Sequence, residues 1–163
     1  MQVMDKNAIK ESMKIAVGAD GKAGATDAVI KWLQERGYDV QLFGALTKDP
    51  DAWLWPKVAQ DVAQGVASGK FDQGILFCWT GTGISMAANK VPGIRAALCA
   101  DAETAKSARI WNDANILAMS LRSTSEEIAR EILEAWFTTS PSQKPQDVKC
   151  IDYLKAMEAK PQD

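Results

Sequence analysis

One short segment of the chain combines a nucleophilic side chain with a glycine-rich turn. Cys78 ends an apolar run, and the turn that follows it comprises Trp79, Thr80, Gly81, Thr82 and Gly83. Two glycines let the backbone approach a ligand closely, and successive N–H groups at the start of a helix bind an oxyanion or a phosphate. The pattern is neither a Walker loop nor a complete GxGxxG, so a plain strand-to-helix turn is the alternative.

Cys78 is the candidate base or nucleophile of this segment. A thiolate beside a helix N-terminus is stabilised by the helix dipole, and a thiolate can remove a proton or attack a carbon. The alternative for Cys78 is a small buried hydrophobe, which is the commoner role of a free cysteine. That structural role is what we expect for Cys99, inside an apolar run, and for Cys150.

Further polar and aromatic candidates lie in other turns. Asp20, in a glycine-rich turn, could accept the proton of a sugar hydroxyl or could cap the next helix. Asn112 and Asn115 could bind hydroxyl groups or cap turns. Trp79 and Trp111 lie in or beside loops, where tryptophan can stack on sugar faces, although packing is its commoner use.

Composition excludes several classes of function. Histidine is absent from the 163 residues, which rules out serine–histidine triads and histidine metal sites. Nineteen Lys and Arg against 21 Asp and Glu leave a net charge of −2, so no basic field favours nucleic acid. No apolar run reaches the roughly 18 residues of a membrane helix. The three cysteines form no CxxC pair, which argues against a zinc site and favours a reducing, cytoplasmic setting.

Short apolar runs alternate with helical patterns along the chain. This alternation predicts a doubly wound, three-layer α/β/α Rossmann-like fold with a five-stranded parallel sheet and a C-terminal helix. The predicted strands are 14–19, 39–43, 74–78, 94–100 and 116–119. The predicted helices are 26–36, 57–68, 102–111, 125–137 and 147–159, with a further helix starting in the glycine turn. Thr124 and Glu127 form a capping-box pattern for the helix at 125–137.

We predict one domain over 1–163, with an α/β core at 12–139, a linker at 140–146 and the C-terminal helix at 147–159. In such sheets, ligands bind outside the carboxyl ends of the strands, where Asp20 and Cys78 fall. A dinucleotide or flavin site is disfavoured, because the glycine turn follows the third predicted strand and the acidic residue of a ribose contact is missing.

The segment 74–97 closely resembles the signature of ribose-5-phosphate isomerase B and the galactose-6-phosphate isomerase subunits. It reads GILFCWTGTGISMAANKVPGIRAA, and the similarity continues through Arg109, the Asn-Asp-Ala-Asn at 112–115, and Arg122. The resemblance covers about 13–137, and the central segment is long enough to be specific.

This resemblance implies aldose–ketose isomerisation through an enediolate, without a metal or an organic cofactor. In that family the cysteine matching Cys78 removes a proton from the carbon beside the carbonyl, and the glycine turn, with the threonine matching Thr80, holds the oxyanion. The residues matching Asp20 and Asn112 contact the sugar, and the arginine matching Arg122 helps to bind phosphate. Members form dimers or tetramers with sites between subunits, which implies a homodimer or homotetramer here.

The expected catalytic residues are therefore Cys78, Thr80 and Asp20. The expected substrate-binding residues are Trp79, Gly81, Thr82, Gly83, Trp111, Asn112 and Arg122. The expected ligand is a sugar or sugar phosphate, with neither nucleic acid nor membrane as a partner.

The sequence departs from the family pattern at several positions. Typical members carry histidine where this chain has Gly21 and Trp111, and Asp-Tyr-Pro where it has Leu-Trp-Pro at 54–56. The two phosphate-binding arginines expected near the C-terminal helix have no counterpart at 144–150. We therefore expect an isomerase whose substrate differs from ribose 5-phosphate. The alternative is a non-catalytic sugar-binding or partner subunit of a heteromeric isomerase.

Overall fold

Strands and helices alternate along the described chain, and a further helix follows the last strand–helix pair. The structure, a computed structural model, describes residues 12–49 and 51–158. The elements are β1 (Lys14–Ala19), α1 (Gly24–Glu35), β2 (Asp39–Gly44), α2 (Trp55–Ala67), β3 (Gln73–Cys78), α3 (Thr82–Asn89), β4 (Ala96–Leu98), α4 (Ala102–Asn112), β5 (Ile116–Ser120), α5 (Glu126–Phe137) and α6 (Pro145–Glu158). This order confirms the predicted α/β class.

The five strands form one sheet in which all pairs are parallel. The strand order is β2-β1-β3-β5-β4. From β1 the chain passes to β2 at one edge of the sheet. From β3 it passes to β4 at the opposite edge and then returns to β5. The topological switch point therefore lies between β1 and β3, where parallel α/β sheets bind their ligands.

Helices cover both faces of the sheet and form the predicted three layers. Helices α1, α4 and α5 pack against one face, with Trp32 and Trp136 among the buried side chains. Helices α2 and α3 pack against the other face, around Leu76 and Cys78. None of the helices in the described part of the chain has both the length and the apolar character needed to cross a membrane.

Several element boundaries differ from the sequence predictions. Strand β4 is shorter than the predicted 94–100, because Ile94 N–H donates to Val91 O in a turn (3.2 Å) and Arg95 N–H donates to the Asn115 side chain (2.8 Å). The N-cap of α5 is Ser125, whose hydroxyl accepts from Ile128 N–H, so the capping box predicted at 124–127 is wrong.

The last helix begins two residues earlier than predicted, at Pro145. Proline suits the first helical position, and the N–H groups of Asp147 and Val148 donate to Lys144 O at the start of the helix. The predicted helix end at 159 lies outside the described residues. Ile151 is buried and anchors α6 on the body of the domain.

Gly44 and Gly37 form a matched pair that tests the packing of β2. Both have positive φ, so alanine is strained at either position by about 1 kcal/mol. A Cβ on Gly44 would lie 2.3 Å from Ala19 O, whereas a Cβ on Gly37 meets nothing within 4 Å. We expect Gly44→Ala to lower the free energy of unfolding at least twice as much as Gly37→Ala in urea denaturation. Equal losses would contradict the close approach of β1 and β2.

Candidate active site

The switch point brings Asp20 and Cys78 to adjacent strand ends. Asp20 directly follows β1, and Cys78 is the last residue of β3. The Asp20 N–H donates to Phe77 O at 3.3 Å, so the hydrogen-bonding of the two strands continues one residue beyond β1. Asp20 and Cys78 therefore lie at adjacent positions of the backbone, at the carboxyl ends of the strands where such sheets bind ligands.

The chain turns from the core to the surface directly after Cys78. Cys78 is 6% exposed and belongs to the apolar cluster under α2 and α3, whereas Trp79 is 64% exposed. Gly81, with φ of 78°, is the N-cap of α3. The first N–H groups of that helix, from Thr82 onward, have no partner within the helix and suit a developing oxyanion.

The glycine turn is fixed by close contacts on two sides. A Cβ on Gly81 would lie 2.5 Å from Leu98 Cδ1 and 2.9 Å from the carbonyl carbon of Met119. A Cβ on Gly83 would lie 3.3 Å from the Trp55 ring. At each position the missing Cβ leaves space for the neighbouring backbone or ring. The Trp55 ring borders the N-terminus of α3.

The hydroxyl groups of Thr80 and Thr82 lie 2.7 Å apart, within hydrogen-bonding distance. Both residues are exposed, so the pair is open to a ligand at the start of α3. Such hydroxyl groups can act as donor or acceptor according to how they rotate.

Asp20 does not have the structural role considered above. The N-cap of α1 is Ala23, and the Thr26 hydroxyl accepts from Ala23 N–H (3.1 Å) and donates to Ala23 O (2.8 Å). The Asp20 carboxyl is therefore not used as a helix cap. Its pKa is raised by burial, against the opposing effect of the backbone N–H of Asp20 itself. A carboxyl group with a raised pKa can hold and release a proton closer to neutral pH.

The loop between β5 and α5 lies against the glycine turn. Leu121 N–H donates to Cys78 O (2.9 Å), and Arg122 N–H donates to Trp79 O (3.0 Å). Arg122 is exposed, so its guanidinium can reach a ligand anion beside the turn.

Trp111 and Asn112 lie near the amino ends of the strands, whereas Cys78 lies at the carboxyl ends. They end α4, which carries the chain back to the amino end of β5. The five residues of β5 alone separate these two ends by about 13 Å. One chain therefore does not bring Trp111 and Asn112 to the thiol. Trp111 is 56% exposed, and Asn112 lines a cavity of about 1010 Å³ beside β4.

The structure decides the role of Asn115, corrects the expectation for Cys150 and adds Ser120, which the sequence did not reveal. Asn115 is structural, because its side chain accepts from Arg95 N–H and donates to Gly93 O. Cys150 is exposed rather than part of the core, whereas Cys99 is buried as expected. Ser120 was missed: it is the register partner of Cys78 at the end of β5, one residue beyond the predicted strand.

Comparisons with known proteins identify relatives of this chain. The sequence profile of the Ribose/Galactose Isomerase family matches residues 15–153. The chain is 39% identical over 127 residues to the D-erythrulose-4-phosphate isomerase of Pectobacterium atrosepticum, covering 76% of this chain and 82% of that protein. It is 41% identical over 124 residues to the ribose-5-phosphate isomerase B of Escherichia coli, with the same coverage of 76% and 82%.

A solved structure gives the same result in three dimensions. The ribose-5-phosphate isomerase B of Clostridium thermocellum superposes with a TM-score of 0.78 at 37% identity, covering 90% of this chain and 97% of that one. The fold and the comparisons together define a Rossmann-like enzyme domain, whose candidate ligand site lies at the switch point of the sheet. More narrowly, the chain belongs to the ribose/galactose isomerase family, as its signature segment predicted.

The raised pKa of Asp20 predicts a pH-dependent gain in stability on substitution. The folded state binds the proton more tightly than the unfolded state, so stability falls as the pH rises from about 4 through the raised pKa. We expect Asp20→Asn to raise the melting temperature at pH 7 and to leave it unchanged near pH 3.

Asp101 supplies a control of opposite sign. Hydrogen bonds from the Thr104 N–H and hydroxyl lower the pKa of Asp101, so its charged form stabilises the fold. Asp101→Asn should lower the melting temperature at pH 7 and have no effect below both pKa values. A gain for Asp20→Asn that is equal at pH 3 and pH 7 would argue against a buried carboxylate.

Proposed function

We propose that this chain is an aldose–ketose isomerase of the ribose-5-phosphate isomerase B type, acting on a sugar or sugar phosphate with Cys78 as the base. The observation that carries the proposal is the position of Cys78, at the end of β3, beside Asp20 and directly before the free N–H groups of α3. Proton removal beside a carbonyl needs a base next to a site that stabilises the resulting oxyanion.

The proposed reaction uses these groups in a balanced sequence. The Cys78 thiolate takes the proton from the carbon beside the carbonyl, and the electron pair moves to the carbonyl oxygen. The N–H groups at the start of α3 and the Thr80 hydroxyl stabilise that oxygen as the enediolate forms. Asp20 moves the hydroxyl proton between the two oxygens. The Cys78 thiol then returns its proton to the neighbouring carbon, which completes the isomerisation without a cofactor.

The substrate we propose is a small sugar or sugar phosphate other than ribose 5-phosphate. The matched relatives are named for erythrulose 4-phosphate and ribose 5-phosphate, so substrates differ among related chains. Arg122 supplies a cation beside the glycine turn, and the exposed ring of Trp79 offers a stacking surface for a sugar face. The family resemblance implies histidine where this chain has Gly21 and Trp111, so we expect a less charged site.

We propose that the working enzyme is a homodimer or homotetramer with sites shared between subunits. Trp111 and Asn112 can act at a Cys78 site only if a second copy supplies them. Large exposed apolar side chains on β4 and α6, which suit burial in an interface, are Leu98, Tyr153, Leu154 and Met157. Three free thiols fit a reducing, cytoplasmic setting.

One observation favours a second candidate function, a non-catalytic sugar-binding or partner subunit of a heteromeric isomerase. The chain has no histidine, whereas the family resemblance implies a histidine that assists ring opening. A partner chain could supply that residue. Calorimetry and turnover with the purified chain alone separate the two candidates, because binding without turnover favours the partner subunit.

Replacement of Cys78 tests the assignment of the base. We expect Cys78→Ala to reduce isomerisation by a factor of about 10² to 10⁴, because the proton acceptor is lost. The measurement is incorporation of solvent deuterium at the carbon beside the carbonyl, screened over aldoses, ketoses and their phosphates.

Cys99→Ala is the matched control for that variant. Cys99 is also buried, its pKa is raised to about 12 by burial, and it packs on the other face of the sheet. The same loss of a buried sulfur should therefore leave deuterium incorporation intact. Full turnover by Cys78→Ala would refute the base assignment.

Mixing two inactive variants tests the shared site. Cys78→Ala and Asn112→Ala should each be weakly active alone, because each damages every site of a symmetric dimer. After subunit exchange, half of the dimers are mixed and each holds one intact site, so about a quarter of the wild-type activity should return. Activity that stays at the level of the separate variants would mean that Asn112 does not serve the neighbouring site.

A further inference from the structure

Ser120 lies next to Cys78 on the neighbouring strand. The two residues are register partners in the parallel pair of β3 and β5. Ala118 and Cys78 both belong to the cluster under α2 and α3, and alternate residues of a strand share a face, so Ser120 points to that same side. Ser120 is only 9% exposed, and a buried hydroxyl needs hydrogen-bond partners.

The Ser120 hydroxyl finds both of its partners at the site. It donates to Trp79 O at 2.8 Å and accepts from Ser123 N–H at 3.1 Å. Trp79 O also accepts from Arg122 N–H at 3.0 Å. One side chain thus joins the backbone that follows Cys78 to the loop that carries Arg122.

These hydrogen bonds hold the part of the turn that lies beyond the last paired residues of β3 and β5. Beyond Cys78 the strand pairing ends, and Gly81 rests directly on the carbonyl of Met119, the residue before Ser120. The peptide plane between Trp79 and Thr80 is held on its carbonyl side by Ser120 and Arg122. Because that plane is rigid, its carbonyl also fixes the direction of the Thr80 N–H.

We propose that Ser120 is a positioning residue for the isomerase site. Its hydroxyl sets the orientation of the Trp79–Thr80 peptide, and through it the alignment of the oxyanion-binding turn with the thiol of Cys78. Ser120 touches neither the substrate nor the reacting atoms. The inference rests on the proposed function, since it names what aligns that same site.

The test is the kinetics of Ser120→Ala and Ser120→Thr. Misalignment of an oxyanion site affects the transition state more than substrate binding, so Ser120→Ala should lower kcat between about 10- and 100-fold with KM changed less than about threefold. Ser120→Thr keeps the hydroxyl and should recover most of kcat. Ser68→Ala is the control, because it removes an exposed serine hydroxyl that donates to Gly65 O at the C-terminal end of α2, away from the site.

Amide hydrogen exchange gives a readout that does not depend on activity. Ser120→Ala should speed exchange at Arg122 and Ser123, whose N–H groups donate to Trp79 O and to the Ser120 hydroxyl, and Ser68→Ala should not. A kcat for Ser120→Ala equal to that of Ser68→Ala, or unchanged exchange at Arg122, overturns the proposal. A wild-type chain without turnover on any sugar defeats the proposed function instead, and the exchange comparison then still decides whether Ser120 orients the turn.

Discussion

The contact between Gly81 and the end of β5 is the constraint on which the site depends. With φ of 78° and a Cβ position 2.9 Å from the Met119 carbonyl carbon, only glycine allows the chain to turn there into α3. The turn places the first free N–H group of α3, that of Thr82, four residues after Cys78. It also brings Trp79 O within reach of Ser120 and Arg122. The proposed base, the proposed oxyanion site and the arginine proposed to bind an anion therefore depend on one backbone contact.

At the carboxyl ends of the strands, the Asp20 carboxylate lowers the stability of the fold but suits proton transfer. Burial of the Asp20 carboxyl disfavours its charged form, which lowers the stability of the fold at neutral pH. Asp20 caps no helix, so the fold gains little from this residue in return. A group that destabilises the folded state and lies in a ligand-binding edge is typical of a functional position.

Local patterns predicted most of the fold and the position of part of the candidate site. Apolar runs and glycine stops are read directly from the sequence, so the five strands, the two helical layers and the pairing of Asp20 with Cys78 followed from it. Ser120 was missed because Leu-Ala-Met ends the apolar run, while the ladder to β3 continues one residue further. The separation of Asn112 from Cys78 depends on the direction of α4 across the sheet, which no local pattern contains.

Because Asn112 lies far from the Cys78 of its own chain, the charge cluster around Asp113 bears on how Asn112 is presented to a second chain. Asp113, in a left-handed conformation with φ of 46°, directly follows Asn112 and lies within 3.6 Å of Arg95 and Arg109 and 3.0 Å of Lys155. The first two cations are largely buried, so these ion pairs are screened less than surface pairs. They tie the end of α4 to β4 and α6 within one chain. The half-site that Asn112 would offer to a neighbour is thus rigid before association, and binding a second subunit need not order it.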